Sequence, residues 1–365
     1  MRLNTLNIIN YKNIAEATLD FSGKINCFVG DNGMGKTNVL DAIYYLSFCK
    51  SHSNLIDSQN INHDAEFFLI QGDYEKNGTP EDIYCGMKRK QKKQFKRNKT
   101  AYEKLSDHIG LIPLVMVSPD DNELISAGSD ERRKFMDGVI SQYNKQYLQQ
   151  LLHYNNTLRQ RNALLKNENE VDDTIFDVLE EQMDVAGRYI YEARSEFIQQ
   201  FIPVFQEFHS IISGNKEQVS LAYTSQYQRH EDLQKRMVDT RERDRLLGYS
   251  TQGIHKDELE MMLDDYAIKK VGSQGQNKTY LIALKFAQFD FLKKIHACAP
   301  LLLLDDIFDK LDAKRVEEIV KLVTSDLFGQ IFITDTNREN LDKLLIQFNS
   351  DAKIFNVVDG IIENQ

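Results

Sequence analysis

Apolar residues near the start of the chain come in short β-branched and aromatic runs, at 3–9 (LNTLNII), 17–21 (ATLDF) and 24–30 (KINCFVG). Runs of this make-up fit a pleated, half-buried surface and predict strands. The third ends on a glycine-rich turn, after which 39–48 (VLDAIYYLSF) takes up helical spacing. Strand character returns at 67–74 and 82–87 and leads into a basic stretch. Near Ser129 the texture changes. Ser129 followed by Asp130 and Glu131 reads as an N-cap with an acidic first turn. Beyond it Phe135, Val139, Tyr143, Tyr147, Leu151, Tyr154 and Leu158 recur at steps of three or four. After the polar break KNENEVDD the same spacing returns in Phe176, Leu179, Met183, Ala186, Ile190, Ala193, Phe197 and Phe201, until Pro203 interrupts it. Two helices joined this way predict an antiparallel hairpin, with arms of roughly 45 Å for about 30 residues each. A short strand (VSLAY) and a charged helix (HEDLQKRMVDTRERDRLL) complete this part. From Thr251 strand and turn character resumes, followed by a helix near Lys278 and the very apolar strand PLLLLDD.

The pattern divides the chain at 1–117, 118–250 and 251–365: an α/β domain in two halves around a mostly helical insert. A length of 365 residues accommodates two domains or one with an insertion. With 41% apolar and 27% charged residues the composition is that of a soluble globular protein. No apolar run approaches 18 residues, and the N-terminus lacks an apolar h-region. Cys27, Cys49, Cys85 and Cys298 are scattered without a CxxC pair, which disfavours zinc and disulfide frameworks and suits a reducing cytoplasm. The net charge of −10 means that any nucleic acid must be held by local basic patches.

Gly30-Asp31-Asn32-Gly33-Met34-Gly35-Lys36-Thr37, with Asn38 behind it, fits G-x-x-x-x-G-K-[ST] between a predicted strand and a predicted helix. The glycines let successive N–H groups turn toward a β-phosphate, Lys36 reaches the β/γ oxygens, and the Thr37 hydroxyl ligates Mg²⁺. The helix beginning there adds its positive end. Leu301-Leu302-Leu303-Leu304-Asp305-Asp306 supplies the acidic partner: a strand covered on both faces, ending in two carboxylates. Asp305 is assigned to Mg²⁺, directly or through water, and Asp306 to polarising the attacking water of ATP hydrolysis. Lys36, Asp305 and Asp306 are thus the expected catalytic set. Ser273-Gln274-Gly275-Gln276 opens the helix before that strand. The order P-loop, long insert, S-x-G-Q, acidic strand resembles ABC ATPases, in which Ser273, Gly275 and Gln276 would cap the γ-phosphate held by a second subunit.

The blocks GDNGMGKTNVLDAIYYLS, SPDDNELISAGSDERRKFMD, GIHKDEL, GSQGQNK and LLLLDDIFDKLD resemble, over essentially the whole chain, the RecF family of DNA repair ATPases. The resemblance implies an ABC-type ATPase head (mixed β-sheet with flanking helices) with an inserted helical lobe. It implies that Asp309 to Asp312 form a D-loop at the dimer interface, and that Thr334-Asp335-Thr336 occupies the switch position. It also implies a cytoplasmic role in recombinational repair and replication-fork maintenance, through an ATP-induced homodimer on gapped or junction DNA. That dimer would help load a recombinase on strands coated with single-strand-binding protein, with mediator proteins as partners and slow, DNA-dependent hydrolysis as the release step. The family block G-P-H-R-D-D reads Gly253-Ile254-His255-Lys256-Asp257-Glu258 here, so only Gly253, His255 and Asp257 carry over. Ser53 stands where related sequences often carry Arg, and Ser118-Pro119 where other ABC ATPases carry the Q-loop Gln.

Eight of the twelve residues at 88–99 (KRKQKKQFKRNK) are basic. They read either as a solvated hairpin edge or as a surface that tracks phosphates without reading bases, with Lys92, Lys93, Lys96 and Arg97 as contacts. Arg132 and Arg133 read either as a second DNA contact or as ion-pair partners of neighbouring acids. An SMC-type architectural ATPase would need far longer arms, and a transporter ATPase subunit would carry a switch His. The sequence favours neither.

Overall fold

The N-terminal runs form strands because their alternation puts one side of each in a core. Leu3, Leu6 and Ile8 are fully buried while Arg2 is exposed. The computed structural model describes residues 1–54, 56–167, 172–228, 233–309, 311–336 and 352–364. In chain order it begins with β1 (Arg2–Tyr11), β2 (Ile14–Asp20), β3 (Ile25–Val29), α1 (Lys36–Phe48), β4 (Phe67–Lys76), β5 (Thr79–Lys88), β6 (Gln94–Arg97), β7 (Thr100–Ala101) and β8 (Leu114–Val117). The middle holds α2 (Glu123–Ser126), α3 (Ser129–Tyr143), α4 (Lys145–Leu165), α5 (Asp173–Ser213), β9 (Val219–Thr224), α6 (Leu233–Asp239), α7 (Arg241–Leu247), β10 (Glu258–Leu263), β11 (Tyr266–Ala267) and α8 (Ile268–Val271). Then come α9 (Gln274–His296), β12 (Leu301–Asp305), α10 (Ala313–Thr324), β13 (Ile331–Asp335), β14 (Ala352–Val358) and β15 (Ile361–Asn364).

The first unit comprises Met1–Asp121, Phe208–Asn215 and Ser273–Gln365. It holds an antiparallel sheet ordered β2-β1-β4-β5-β6-β7 and a second sheet ordered β15-β14-β3-β13-β12-β8. The second is parallel from β14 to β8, with β15 antiparallel at one edge. Helix α1 is buried nearly all round, in one core with residues of both sheets, as an apolar run without a polar stripe requires. Burying Val39, Leu40, Ile43 and Leu46 contributes about 1.5–3 kcal/mol each.

The second unit comprises Asn122–Glu207 and Lys216–Gly272. The expected boundary at 250 moves to Gly272 because β10 pairs with β9 from Glu258↔Thr224 to Leu263↔Val219, which keeps 251–272 with the helices. The antiparallel hairpin is present: Asn144 bonds Tyr189 at one end of α4, and Arg161 bonds Glu180 at the other. Its first arm is not one helix, however. Asn144 takes an extended backbone and its side chain accepts from Tyr147 N at 2.8 Å, so capping wins over the unbroken apolar period. Gly128, not Ser129, caps α3. The charged helix likewise divides at Thr240 into α6 and α7. Pro203, by contrast, does not end α5. It sits on the exposed side, and Phe197, Phe201, Phe205 and Phe208 stay buried across it.

Arg161 lies wholly buried in this unit. It donates to Asp244 Oδ2 and Ser250 Oγ (both 2.7 Å) and to Glu180 Oε1 (2.8 Å), and Glu180 also receives Arg241 (2.6 Å). One guanidinium thereby joins α4, α5, α7 and the segment after it. Arg194 plays a similar part for Asp137 and Asp257.

Two histidines are locked neutral, one in each unit. His108 Nε2 donates to Leu46 O (2.7 Å) and its Nδ1 accepts from the Tyr102 hydroxyl. His255 Nε2 donates to Ser250 O (3.0 Å) and its Nδ1 accepts from Tyr154 (2.8 Å). Burial pushes both imidazoles down to about 4. The unfolded chain therefore binds these protons first, and stability present above pH 6.5 is lost as pH falls from 6.5 toward 4. At pH 5 the loss is about 2 kcal/mol for each histidine. Urea unfolding followed from pH 7.5 to 5 should show the midpoint falling, and His108→Gln and His255→Gln should each flatten that fall. An unchanged slope in both variants refutes the assignment.

Candidate nucleotide site

Strand β3 ends beside β14 and β13, and the chain turns through 30–35 into α1. A Cβ on Gly30 would lie 2.2 Å from the carbonyl oxygen of Val357, so only glycine lets the loop leave the sheet there. Gly35 caps α1 at φ 113°, and a Cβ would meet the Asn13 amide at 2.7 Å. Asn13, in the β1–β2 turn, donates to Met34 O and accepts from Asn38 Nδ2 at 2.7 Å. Gly360 N also donates to Met34 O, so two hairpin turns clamp the loop. Asp31, Asn32 and Gly33 stay exposed at its tip, Gly33 at φ 83°. Nothing in the local sequence marks Asn13, a turn asparagine between two strands.

Lys36 is buried and donates to the carbonyls of Gly30 (2.8 Å) and Asp31 (3.0 Å), which holds its ammonium inside the loop. Thr37 Oγ1 donates to Asp305 Oδ1 at 2.9 Å, and Thr334 Oγ1 donates to the same oxygen at 2.6 Å. The threonine of the loop, the first carboxylate of β12 and the last-but-one residue of β13 therefore converge at the C-terminal edge of the parallel strands. That is where ligands sit in such sheets. Burial raises the Asp305 pKa, while the two hydroxyls pull it back.

Asp306 has left-handed backbone (φ 45°), held by its N–H on the carbonyl and hydroxyl of Thr334. Strained backbone of this kind concentrates at functional sites. Its carboxyl is pushed up by burial first and by the Asp305 charge second. Its Oδ1 is buried and has no hydrogen-bond partner among the described residues. Lys278 Nζ donates to the Asp306 carbonyl at 3.0 Å, so α9 is tied to the same corner.

The helix expected near Lys278 starts at Gln274. Ser273 is its cap, its hydroxyl accepting from Gln276 N, and the Gln276 side chain accepts from Ser273 N at 2.8 Å. S-x-x-Q is itself a capping-box signature, and it marks the true start. Gly275 lies in the first turn, where its carbonyl accepts from Thr279 Oγ1. Asp312 caps α10 through Arg315 N (3.0 Å), and Arg315 donates to Thr279 Oγ1 (2.8 Å), linking the start of α10 to α9. Asp335 is buried at the end of β13 and Thr336 follows it. Lys310, in the expected D-loop, lies outside the described residues.

A second buried cluster was not foreseen. Asp41 of α1 accepts from Tyr11, Ser51 and the His52 N–H and pairs with Lys12. Burial alone would raise its pKa, but Lys12 and these bonds hold it below the ordinary value. Ser53, at the expected Arg position, accepts from Lys12 at 2.7 Å. Ser118 N donates to Asp121, which also pairs with Lys285 at 2.6 Å.

The basic candidates separate sharply. Lys93 turns inward, pairing with Asp57 at 2.8 Å and donating to Cys49 O. Arg97 is held by the buried Glu81, Nε to Oε2 at 2.8 Å. Arg132 is buried against Glu258 (2.7 Å), and Arg133 against the Asp257 carbonyl and Asp130. Arg132 and Arg133 sit in the ion pairs that were one of their two readings, while Lys93 and Arg97 are engaged by Asp57 and Glu81, a role that neither reading of 88–99 included. Lys92 stays exposed, and Lys96 lies over the Tyr84 ring at 5.3 Å. The 253–258 block is scaffolding of the second unit. Gly253 (φ 127°) lies against the Tyr154 hydroxyl, and Asp257 pairs with Arg194 at 2.8 Å.

The family model for the RecF/RecN/SMC N-terminal domain matches residues 2–362. The DNA replication and repair protein RecF of Bacteroides thetaiotaomicron is 61% identical over 363 residues, covering 99% of this chain and 98% of that protein. The protein of the same name from Flavobacterium johnsoniae is 50% identical over 360 residues, with 98% and 100% covered. A solved structure of the recombination mediator protein RecF-ATP in the RecFOR pathway matches with a TM-score of 0.88 at 27% identity, covering 100% of this chain and 97% of that one. An Smc head domain from Pyrococcus furiosus matches at TM-score 0.59 and 16% identity, a likeness of fold alone. The chain has the ABC-type ATPase head fold and belongs to the RecF family of DNA replication and repair proteins.

Proposed function

We propose that the chain binds ATP with Mg²⁺ in its 30–38 loop and acts as an ATP-controlled clamp on DNA, closing as a homodimer and reopening after slow hydrolysis. The observation that carries this reading is the convergence of Thr37, Asp305 and Thr334 beside Lys36. The residues fit a magnesium ion. Magnesium takes hard oxygen ligands, hydroxyl and carboxylate oxygens among them. Thr37 Oγ1 and Asp305 Oδ1 are 2.9 Å apart. Bound there, the ion would neutralise phosphate charge.

Each residue then has a task. The amides of the clamped loop and Lys36 hold phosphate oxygens, and Thr37 and Asp305 hold the ion. Asp306, with a raised pKa and a carboxyl oxygen lacking a described partner, orients a water and takes its proton. Ser273, Gly275 and Gln276 present a helix N-terminus to the nucleotide of a second copy. The relative solved with ATP supports the nucleotide, and its RecFOR pathway points to DNA and other recombination mediators as partners. Among the described residues no helix is long and apolar enough to cross a membrane.

Sedimentation with ATP, ADP or no nucleotide, with and without gapped DNA, tests the reading. ATP alone should give the dimer, and DNA should sharpen it. Identical sedimentation in ATP and ADP rules the clamp out.

A further inference from the structure

Strands β4, β5 and β6 turn alternate residues to opposite faces, and the register settles which residues share the outer one. Phe67 pairs with Lys88, Gln71 with Tyr84, and Tyr84 with Lys96. Side chains two apart on a strand and directly paired across it face the same way. Phe68, Ile70, Cys85 and Phe95 fill the core on the inner face. On the outer face Phe67 is 44% exposed, although a phenylalanine on a sheet ordinarily finds cover. A cavity of about 220 Å³ opens there, with Phe67, Tyr84, Gly86, Lys88 and Lys92 in its lining.

Gly86 explains the shape of that hollow. A Cβ there would stand 2.6 Å from the Tyr84 hydroxyl oxygen and about 3.1–3.2 Å from its ring carbons. The Tyr84 ring therefore lies down along the sheet over Gly86 instead of standing off it. Lys96 sits 5.3 Å from the centre of the ring. Lys88 and Lys92 are exposed beside it, while Lys93 and Arg97 are spent on internal pairs. Further along the same face Asp73 stands opposite Asp82, so negative charge closes off that direction.

We propose that this hollow is a stacking platform for an unpaired base of single-stranded DNA. The base displaces the Lys96 ammonium from over the Tyr84 ring and lies against Tyr84 and Phe67, and its flanking phosphates rest on Lys88, Lys92 and the displaced Lys96. This rests on the DNA-binding reading above and adds strand selection to it. A base inside a duplex has both faces covered by its neighbours, and only an unpaired one offers a π-face to a tyrosine. Lysines alone would hold duplex and single strand alike. The volume is several times the roughly 30 Å³ share of one water, which suits a planar ring and not a folded element. The chain thereby distinguishes the single-stranded side of a gap from its duplex side.

The test measures fluorescence anisotropy of the full chain with ATP, using an oligo-dT strand, an abasic strand of equal length and a duplex. Tyr84→Leu should weaken dT binding about tenfold, Tyr84→Phe should restore it, and duplex binding should stay within about twofold. Lys88→Gln with Lys92→Gln should weaken dT binding and lower its log–log salt slope by about 1.4. Photo-cross-linking of a 5-iodouracil strand to the unaltered chain should map to Tyr84 or Phe67, which decides the matter even should Tyr84→Leu fold poorly. A cross-link confined to other peptides, equal affinity for dT and abasic strands, or a silent Tyr84→Leu overturns the platform. So does a polyglutamate peptide that binds the unaltered chain in place of dT, which would assign the hollow to an acidic protein. If the unaltered chain binds no DNA at all, the clamp reading fails. If it binds duplex and Tyr84→Leu is silent on dT, only the platform fails.

Discussion

Lys36→Met should abolish nucleotide-dependent dimerisation and lower ATP affinity by about a hundredfold or more. The ammonium is the one buried positive charge inside the loop, and it is held by two carbonyls that bind no other side chain described here. Charge-assisted hydrogen bonds to phosphate of this kind are the strong ones. Methionine fills the same stem volume, so the fold should survive. In a melting experiment ATP should raise the midpoint of the parent chain and leave the variant where it was, because only a bound ligand stabilises by mass action. Mixing supplies a sharper readout. A Lys36→Met chain retains its own Ser273 helix end, and a Ser273→Arg chain retains its own loop. Neither should hydrolyse ATP alone, yet the mixture should recover activity, since one complete composite site forms per mixed dimer. No recovery would mean that each chain completes its own site.

Asp306→Asn should slow hydrolysis by about 10²- to 10⁴-fold, the usual contribution of a positioned base, while leaving ATP affinity within a few-fold. The substitution is nearly isosteric, and Oδ1 makes no hydrogen bond to any described residue, so little else is disturbed. The dimer should then persist for longer in proportion to the lost rate. The parent's rate should fall with decreasing pH, because the base must be ionised to act. That acid limb should vanish in the variant. Hydrolysis at the parental rate in Asp306→Asn would place the base elsewhere.

The nucleotide corner was legible in the sequence because its residues are dictated by backbone geometry. Gly30 and Gly35 sit where a Cβ would strike neighbouring atoms, and Asp305 ends a strand that is apolar on both faces. The S-x-x-Q spacing was informative as a helix cap. What stayed hidden depends on partners far away in the chain. Asn13 reveals its clamp only when α1 and the β1–β2 turn meet. Lys93 and Arg97 look like Lys96 until Asp57 and Glu81 arrive from 36 and 16 positions away to claim them. The helical period was right about most of the buried residues, although Tyr143, Leu151, Leu158 and Ala193 are only half-buried, and wrong about continuity. One asparagine offers a better cap than the helix offers a turn, and a proline on the wet side removes too little to end the helix.

The Arg161 cluster restricts how this sequence can drift. Arg161, Glu180 and Asp244 lie in a dry interior, from which water cannot screen a mismatch. Removing Arg161 by itself leaves Asp244 without its cation and Glu180 with Arg241 alone, and removing one anion leaves the cations short of charge. Each single step is therefore penalised far more than a joint replacement by apolar residues of similar volume. Inheritance along such a path is a ratchet. A change tolerated at one of these positions depends on what stands at the others, so their replacement is expected to be joint and not stepwise.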